Sequence, residues 1–165
     1  MDVYLVRHAI AATRDSTQWP DDSERPLTPE GAARFCKAAR GLHRIAPQVD
    51  VVLASPYIRA WQTAEILERE AGWPPPERAP ELEATRWPRS VVELLRRHAS
   101  SSVALVGHEP CLSGLASLLL VGDERAAAIE VKKGNVVLLT VSPEVRPGSA
   151  ILRWSATPKI LRALA

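Results

Sequence analysis

Two histidines and two arginines follow separate apolar runs of this chain. Arg7 and His8 come directly after the first run, Arg59 lies shortly after the second, and His108 comes directly after a later one. If these runs are parallel strands, the side chains that follow them meet at one edge of the sheet. Ligands of open α/β sheets bind beyond the carboxyl ends of the strands. The spacing therefore predicts that the four side chains share one site.

The chemistry that suits this set is phosphoryl transfer. A guanidinium group offers a planar fork that matches the oxygens of a phosphate dianion. A neutral imidazole can attack phosphorus, and neighbouring arginines disfavour its protonation until phosphate arrives. We therefore predict a phosphohistidine intermediate on His8, with Arg7, Arg59 and His108 stabilising the charge on the phosphoryl oxygens. This route requires no metal ion and no cofactor.

The elements that must position these residues alternate between strands and helices. Apolar runs predict strands, and 3.6-residue spacing with cap-plus-proline starts predicts helices. The predicted strands are 3–6, 49–54, 103–106, 136–141 and 151–154, and the predicted helices are 29–45, 56–71, 88–98 and 110–121. Residues 12–26 are predicted as a surface loop and 72–80 as a connector. This order predicts an α/β three-layer sandwich: a mostly parallel central sheet with an antiparallel edge, flanked by helices.

Composition and charge narrow the function classes. With 165 residues, 46% of them hydrophobic, the chain is predicted to form a single domain over 1–165. Its formal net charge of +2 gives no strong field for nucleic acid. No apolar run approaches the roughly 20 residues that cross a bilayer, and residues 1–6 do not resemble a signal peptide, so we expect a cytoplasmic protein without membrane partners. Cys36 and Cys111 could form one bridge, although free thiols are favoured, and the scattered histidines do not predict a metal site.

Four sequence blocks, in this order, resemble the signature blocks of the histidine phosphatase superfamily. They are LVRHA at 5–9, RPLTPEG at 25–31, SPYIRAWQTA at 55–64 and VGHEP at 106–110. The resemblance implies a phosphoglycerate mutase-like fold. It also implies that His8 is the nucleophile, that Arg7 and Arg59 bind phosphate, and that His108 contacts it.

Within that superfamily the chain looks most like the short phosphohistidine phosphatases of the SixA type. It has no long insertion between the blocks, where larger relatives carry lids, so the pocket would accept a histidine presented by another protein. Family mutases carry a catalytic glutamate at the position of Ala84, and here Glu81 and Glu83 flank that position as candidate general acids. A missing acid favours P–N bonds as substrates, because imidazole leaves far more readily than an alkoxide.

The predicted function is removal of phosphate from a histidine-phosphorylated protein. Two alternatives stay open: a small-molecule phosphomonoesterase acting on a sugar phosphate or nucleotide, and a module that binds phosphorylated partners without turnover. Arg25 is predicted either to line the pocket and contact substrate or to brace the loop at 12–26.

Overall fold

The chain is built around one six-stranded sheet, in a computed structural model that describes residues 1–99 and 102–165. The strands are β1 (Asp2–Arg7), β2 (Val51–Ala54), β3 (Pro76–Arg78), β4 (Val103–Gly107), β5 (Val136–Val141) and β6 (Ala150–Ala156). Their spatial order is β3-β2-β4-β1-β5-β6. The first four in that order are parallel to one another, whereas β5 and β6 are antiparallel to their neighbours. The predicted sheet, mostly parallel with an antiparallel edge, is confirmed.

In the described part of the chain, five α-helices cover the two faces of the sheet. They are α1 (Pro29–Ile45), α2 (Ile58–Ala71), α3 (Pro88–Arg96), α4 (Cys111–Val121) and α5 (Pro158–Ala163). Alternate residues of β1 point to opposite faces, as the pleat requires. Tyr4 and Val6 pack in the core beneath α1, α2 and α5, whereas Val3 and Leu5 pack in the core beneath α3 and α4. These two apolar cores make the fold a three-layer α/β sandwich.

Local sequence signals explain where the helices begin and end. Thr28 caps α1, because its hydroxyl accepts a hydrogen bond from Gly31 N at 2.9 Å. Gly72 and Gly122 follow the last residues of α2 and α4 with φ of 72° and 84°, a backbone conformation that favours glycine. Among the described residues, no helix is long and apolar enough to cross a bilayer.

Three elements differ from the sequence-based expectation. The connector at 72–80 contains β3, which is only three residues long and pairs with the free side of β2, where an edge strand tolerates proline. Helix α2 begins at Ile58 rather than at residue 56, because Ser55 Oγ accepts a hydrogen bond from Tyr57 N ahead of the first helical turn. Helix α5 was not predicted, since six residues are too few for a recognisable helical period.

Candidate active site

Strand register places the two predicted site histidines next to each other. In the parallel β1–β4 pair, Arg7 lies opposite Gly107, so the residues that follow them, His8 and His108, leave adjacent strands at the same level. The backbone N–H of His8 donates to Gly107 O at 3.1 Å. The centroids of the two imidazole rings are 5.1 Å apart. Both rings are buried and lie beyond the carboxyl ends of the parallel strands.

A surface cavity of about 770 Å³ lies over this pair. Arg7, His8, Arg59 and His108, which the sequence predicted to meet, all line it, and so does Arg25. Asp22, Tyr57, Thr85, Glu109 and Lys133 line it as well. The structure therefore brings together the residues expected to act on phosphate, and adds to them two carboxylates and two cations, Arg14 and Lys133.

The ring of His8 is held in one tautomer. Its Nδ1 lies 2.7 Å from the carbonyl oxygen of Ala9, which can only accept, so Nδ1 carries the proton and donates. The lone pair of the ring is therefore on Nε2. Burial lowers the pKa of His8 to about 3; the hydrogen bond to Ala9 O opposes this, while the positive charges of Arg59 and Arg7 add to it. The imidazole is consequently neutral at neutral pH.

His108 is oriented by Ser55, a serine that precedes a proline as helix caps commonly do. Nε2 of His108 lies 2.9 Å from Ser55 Oγ, and the same oxygen accepts a hydrogen bond from Tyr57 N at 3.3 Å. When the serine hydroxyl donates to Nε2, the ring proton lies on Nδ1, and this nitrogen has no partner among the described residues. Burial, followed by the charges of His8 and Arg59, lowers the pKa of His108 to about 2. The ring is thus neutral, and in this tautomer it donates from Nδ1.

Two arginine side chains complete a set of unpartnered donors. Nη1 of Arg7 donates to Val131 O at 2.8 Å, while its Nε has no hydrogen-bond partner in the described part of the chain. The Arg59 side chain is 3% exposed, and its Nε is also unpartnered. Buried donors in proteins are almost always hydrogen-bonded. Buried unpartnered nitrogens on Arg7, Arg59 and His108 therefore indicate an anion-binding site.

The far side of the Arg59 guanidinium is occupied by Asp22. Nη1 of Arg59 donates to the backbone oxygen of Asp22 at 2.6 Å, and Nη2 lies 2.9 Å from Asp22 Oδ2. Partial burial raises the pKa of Asp22, but the hydrogen bond from Arg25 and the charge of Arg59 outweigh it, so this pKa is lowered overall. Asp22 is ionised at neutral pH and neutralises part of the arginine charge.

Arg25 does both things that the sequence left open. It lines the cavity, and it braces the loop before α1: its Nε donates to Asp22 Oδ1 at 3.0 Å and its Nη1 donates to Ala12 O at 2.7 Å. Through Asp22, Arg25 also fixes the carboxylate that contacts Arg59. A direct contact between Arg25 and substrate stays a prediction.

The two candidate acids do not line the cavity. Glu81 lies 2.6 Å from Arg97 Nη2, and Glu83 lies 3.5 Å from Arg86 Nε. A general acid must come within hydrogen-bond reach of the leaving group. The placement of Glu81 and Glu83 therefore gives their predicted acid role no support. Two carboxylates do line the cavity: Asp22, which is paired with Arg59, and Glu109, which was not among the predicted acids.

Comparison with known proteins identifies the family. The sequence profile of the histidine phosphatase superfamily (branch 1) matches residues 3–87. The chain belongs to this superfamily, and the matched segment contains the first three of the four sequence blocks.

Two relatives and one solved structure refine this result. A protein of Picosynechococcus sp. is 31% identical over 140 residues, covering 83% of each chain. A Mycobacterium tuberculosis protein is 32% identical over 165 residues, covering 93% of this chain and all of the relative. The solved structure of the protein histidine phosphatase SixA complexed with tungstate matches with a TM-score of 0.84 at 26% identity, covering 96% of this chain and 98% of that one. The fold is thus SixA-like, and the family supports phosphatase activity on a phosphorylated substrate.

Proposed function

We propose that the protein removes phosphate from phosphohistidine in another protein, through a phosphohistidine intermediate on its own His8. The observation that carries this proposal is the tautomer of His8: donation from Nδ1 to Ala9 O leaves the Nε2 lone pair free. The same cavity is lined by Arg7, Arg59 and His108, each of which has a buried nitrogen without a partner among the described residues. A lone pair facing an anion-binding site is the arrangement that nucleophilic attack on phosphorus requires. A module that only binds phosphate would not need this lone pair.

The reaction proceeds in two displacements. His8 Nε2 attacks phosphorus, a new N–P bond forms, and the P–N bond of the substrate breaks with its electron pair leaving on the substrate imidazole. When the other nitrogen of that ring is protonated, the leaving group is a neutral imidazole. Water then attacks phospho-His8, which returns His8 and releases inorganic phosphate. In both steps Arg7, Arg59 and His108 donate to the oxygens on which charge accumulates.

The absence of a long insertion between the signature blocks supports a protein substrate, and so does the solved SixA structure, whose name describes a protein histidine phosphatase. Cys36 and Cys111 are both free, which fits the proposed cytoplasmic location. We further propose that residues 1–165 act as a single histidine phosphatase domain and that catalysis requires no metal.

The test measures phosphate release from a phosphohistidine-bearing protein and from p-nitrophenyl phosphate, both in EDTA. The expected result is release chiefly from phosphohistidine, abolished in His8→Ala. His43→Ala is the matched control, because this histidine bonds to Ala71 O on α2 and does not line the cavity. Turnover that survives in His8→Ala would contradict the nucleophile. A stable complex between wild type and the intact phosphorylated protein, with no phosphate release, would favour a binding module.

Glu109 favours a second candidate function. An alkyl phosphate needs a proton on its leaving oxygen, and Glu109 lines the cavity beside His108. A small-molecule phosphomonoesterase would then release phosphate faster from esters than from phosphohistidine in the same assay. That outcome would keep His8 as nucleophile and change only the substrate class.

A further inference from the structure

A second cavity, of about 340 Å³, adjoins the one that contains His8. It lies between α1, the turn at 132–134 and the first turns of α5. Ile10 and Lys133 line both cavities, and Ala9, the residue after the proposed nucleophile, lines the second. A ligand that extends beyond the phosphate site along Ile10 and Lys133 would therefore enter this second cavity.

The second cavity has an apolar floor and a cationic rim. Ile10 and Pro158 supply exposed apolar surface, and the buried ring of Phe35 lies beneath them. Five cationic side chains surround it and no carboxylate lines it: the cations are Arg34, Lys132, Lys133, Lys159 and Arg162. The whole chain carries a net charge of only +2, so this is a local concentration of positive charge. We call this cavity the cationic pocket.

Three of the five cations are free to bind an external anion. Arg34 is paired with Glu30 at 3.1 Å and Lys132 with Glu130 at 3.2 Å. Lys133, Lys159 and Arg162 form no ion pair with any described residue. Lys159 and Arg162 are three residues apart in α5, a spacing that places two side chains on the same face of a helix.

Backbone constraints keep the cationic pocket open and tie it to the nucleophile. Gly134 has a φ of 75°, and a Cβ there would lie 3.0 Å from Pro158 and 3.2 Å from Phe35, so any side chain would crowd the floor. The N–H of Gly134 donates to the carbonyl oxygens of Arg7 and His8, at 3.0 and 3.1 Å. The turn that carries Lys133 is thus attached to the backbone of the proposed nucleophile.

We propose that the cationic pocket binds an acidic segment of the phosphorylated partner protein, next to its phosphohistidine. This inference rests on the proposed function and names a feature of its substrate. An apolar side chain of the segment packs on Ile10 and Pro158, and carboxylates of the segment pair with Lys133, Lys159 and Arg162. Charge complementarity favours this occupant. The free cations come from two separate stretches of the chain, so several negative charges are needed to pair with all of them, and an acidic segment carries several carboxylates on one backbone.

The experiment compares two synthetic peptides that carry one phosphohistidine each. One has Glu and Leu residues on both sides of the phosphohistidine; in the other every Glu is replaced by Gln. Wild type should cleave the acidic peptide with a kcat/KM about tenfold higher, as expected for a few exposed ion pairs, and the preference should decline as salt is raised. Lys159→Glu/Arg162→Glu should abolish or reverse the preference while p-nitrophenyl phosphate hydrolysis stays unchanged.

Two further variants keep the result interpretable. Arg44→Glu/Arg69→Glu makes the same change of net charge at exposed cations that line neither cavity, and should retain the wild-type preference. Lys159→Glu alone changes an exposed side chain and should reduce the preference partly, even if the double variant folds poorly.

The outcomes separate this inference from the proposed function. Equal cleavage of the two peptides by wild type, or an equal loss in the Arg44/Arg69 control, overturns the acidic-segment assignment while the phosphohistidine activity stands. If neither peptide is cleaved, the proposed function fails. The pocket is then tested by binding of the unphosphorylated acidic peptide. Binding that is weaker in Lys159→Glu/Arg162→Glu supports the acidic-segment assignment, and no binding to wild type overturns it. Wild type could also hydrolyse 3-phosphoglycerate faster than p-nitrophenyl phosphate and lose this difference in Lys159→Glu/Arg162→Glu. That result would assign the pocket to small acids instead and overturn the proposal.

Discussion

His8 and His108 lie side by side because β1 and β4 pair in parallel with Arg7 opposite Gly107. Their ring centroids are 5.1 Å apart, yet the two imidazoles are held in different ways. His8 donates from Nδ1 to a backbone carbonyl, whereas His108 bonds through Nε2 to the hydroxyl of Ser55. His8 therefore presents a lone pair, and His108 presents an N–H when Ser55 donates to its Nε2. These are the two functions that phosphoryl transfer to an imidazole needs.

The bond between Ser55 and His108 leads to the first prediction. In Ser55→Ala the Nε2 atom of His108 loses its partner, so the ring no longer has a fixed tautomer and orientation. We expect kcat/KM to decrease up to about tenfold, since one hydrogen bond contributes roughly 0.5–1.5 kcal/mol. Steady-state kinetics on p-nitrophenyl phosphate measures the loss, with Ser113→Ala as a serine control at the start of α4. Unchanged kinetics in Ser55→Ala would show that Ser55 does not position His108.

The second prediction concerns the carboxylate that occupies Arg59. Asp22 lies 2.9 Å from Nη2 of Arg59 and competes with phosphate for its charge. In Asp22→Asn we expect inorganic phosphate to inhibit about three- to tenfold more tightly, because a charged partner of the guanidinium becomes neutral. Product inhibition constants measure the change. Asp15→Asn is the control from the same loop, since Asp15 bonds only to nearby backbone N–H groups. Weaker inhibition in Asp22→Asn would mean that Asp22 chiefly holds Arg59 in place.

Much of the site could be predicted because its residues directly follow strands. Apolar runs ending at Arg7-His8 and at Gly107-His108 are local patterns, and parallel pairing brings their ends together whatever the strand order. The sequence did not predict that β1 and β4 would be direct neighbours. That adjacency determines the 5.1 Å approach of the two rings.

The residues that were missed act across long sequence separations. Asp22 contacts Arg59 over 37 positions, and Ser55 contacts His108 over 53. Neither pairing leaves a periodic signal, and Ser55 next to a proline has the ordinary pattern of a helix cap. Glu109 lies just before a helix, where an acid is favourable without any catalytic role, and its Oε1 accepts from Ser113 N at 3.0 Å. The same carboxylate also lines the cavity.

The third prediction concerns the stability of the fold in acid. Unfolded histidine binds a proton near pH 6.5, whereas the folded pKa values are about 3 for His8 and about 2 for His108. Between these limits the unfolded chain holds more protons, so the stability that these rings contribute is complete above pH 6.5 and is lost as the pH falls. Each ring should contribute about 1.4 kcal/mol per pH unit to the decrease in unfolding free energy. Denaturant unfolding at pH 6, 5 and 4 gives the slope of unfolding free energy against pH. In His8→Gln this slope should be smaller than in wild type by about the contribution of one ring, and an identical slope would contradict the prediction.

The fourth prediction assigns the proton for an ester leaving group to Glu109. An alkoxide needs a proton as it leaves, and a general acid contributes roughly 10²–10⁴-fold. We therefore expect Glu109→Gln to lower kcat on an alkyl phosphate such as glycerol 2-phosphate by about 10²-fold or more, and to affect phosphohistidine cleavage by less than about threefold, since a protonated imidazole ring can leave without further acid.

Glu81→Gln and Glu83→Gln are the matched controls for this prediction. Both side chains pair with arginines outside the cavity, so both variants should retain the rates of wild type on either substrate. A loss confined to Glu81→Gln or Glu83→Gln would restore the acid that the sequence suggested. An equal loss on both substrates in Glu109→Gln would instead show that this residue serves the start of α4, through its bond to Ser113 N, because only an acid distinguishes an alkoxide from an imidazole.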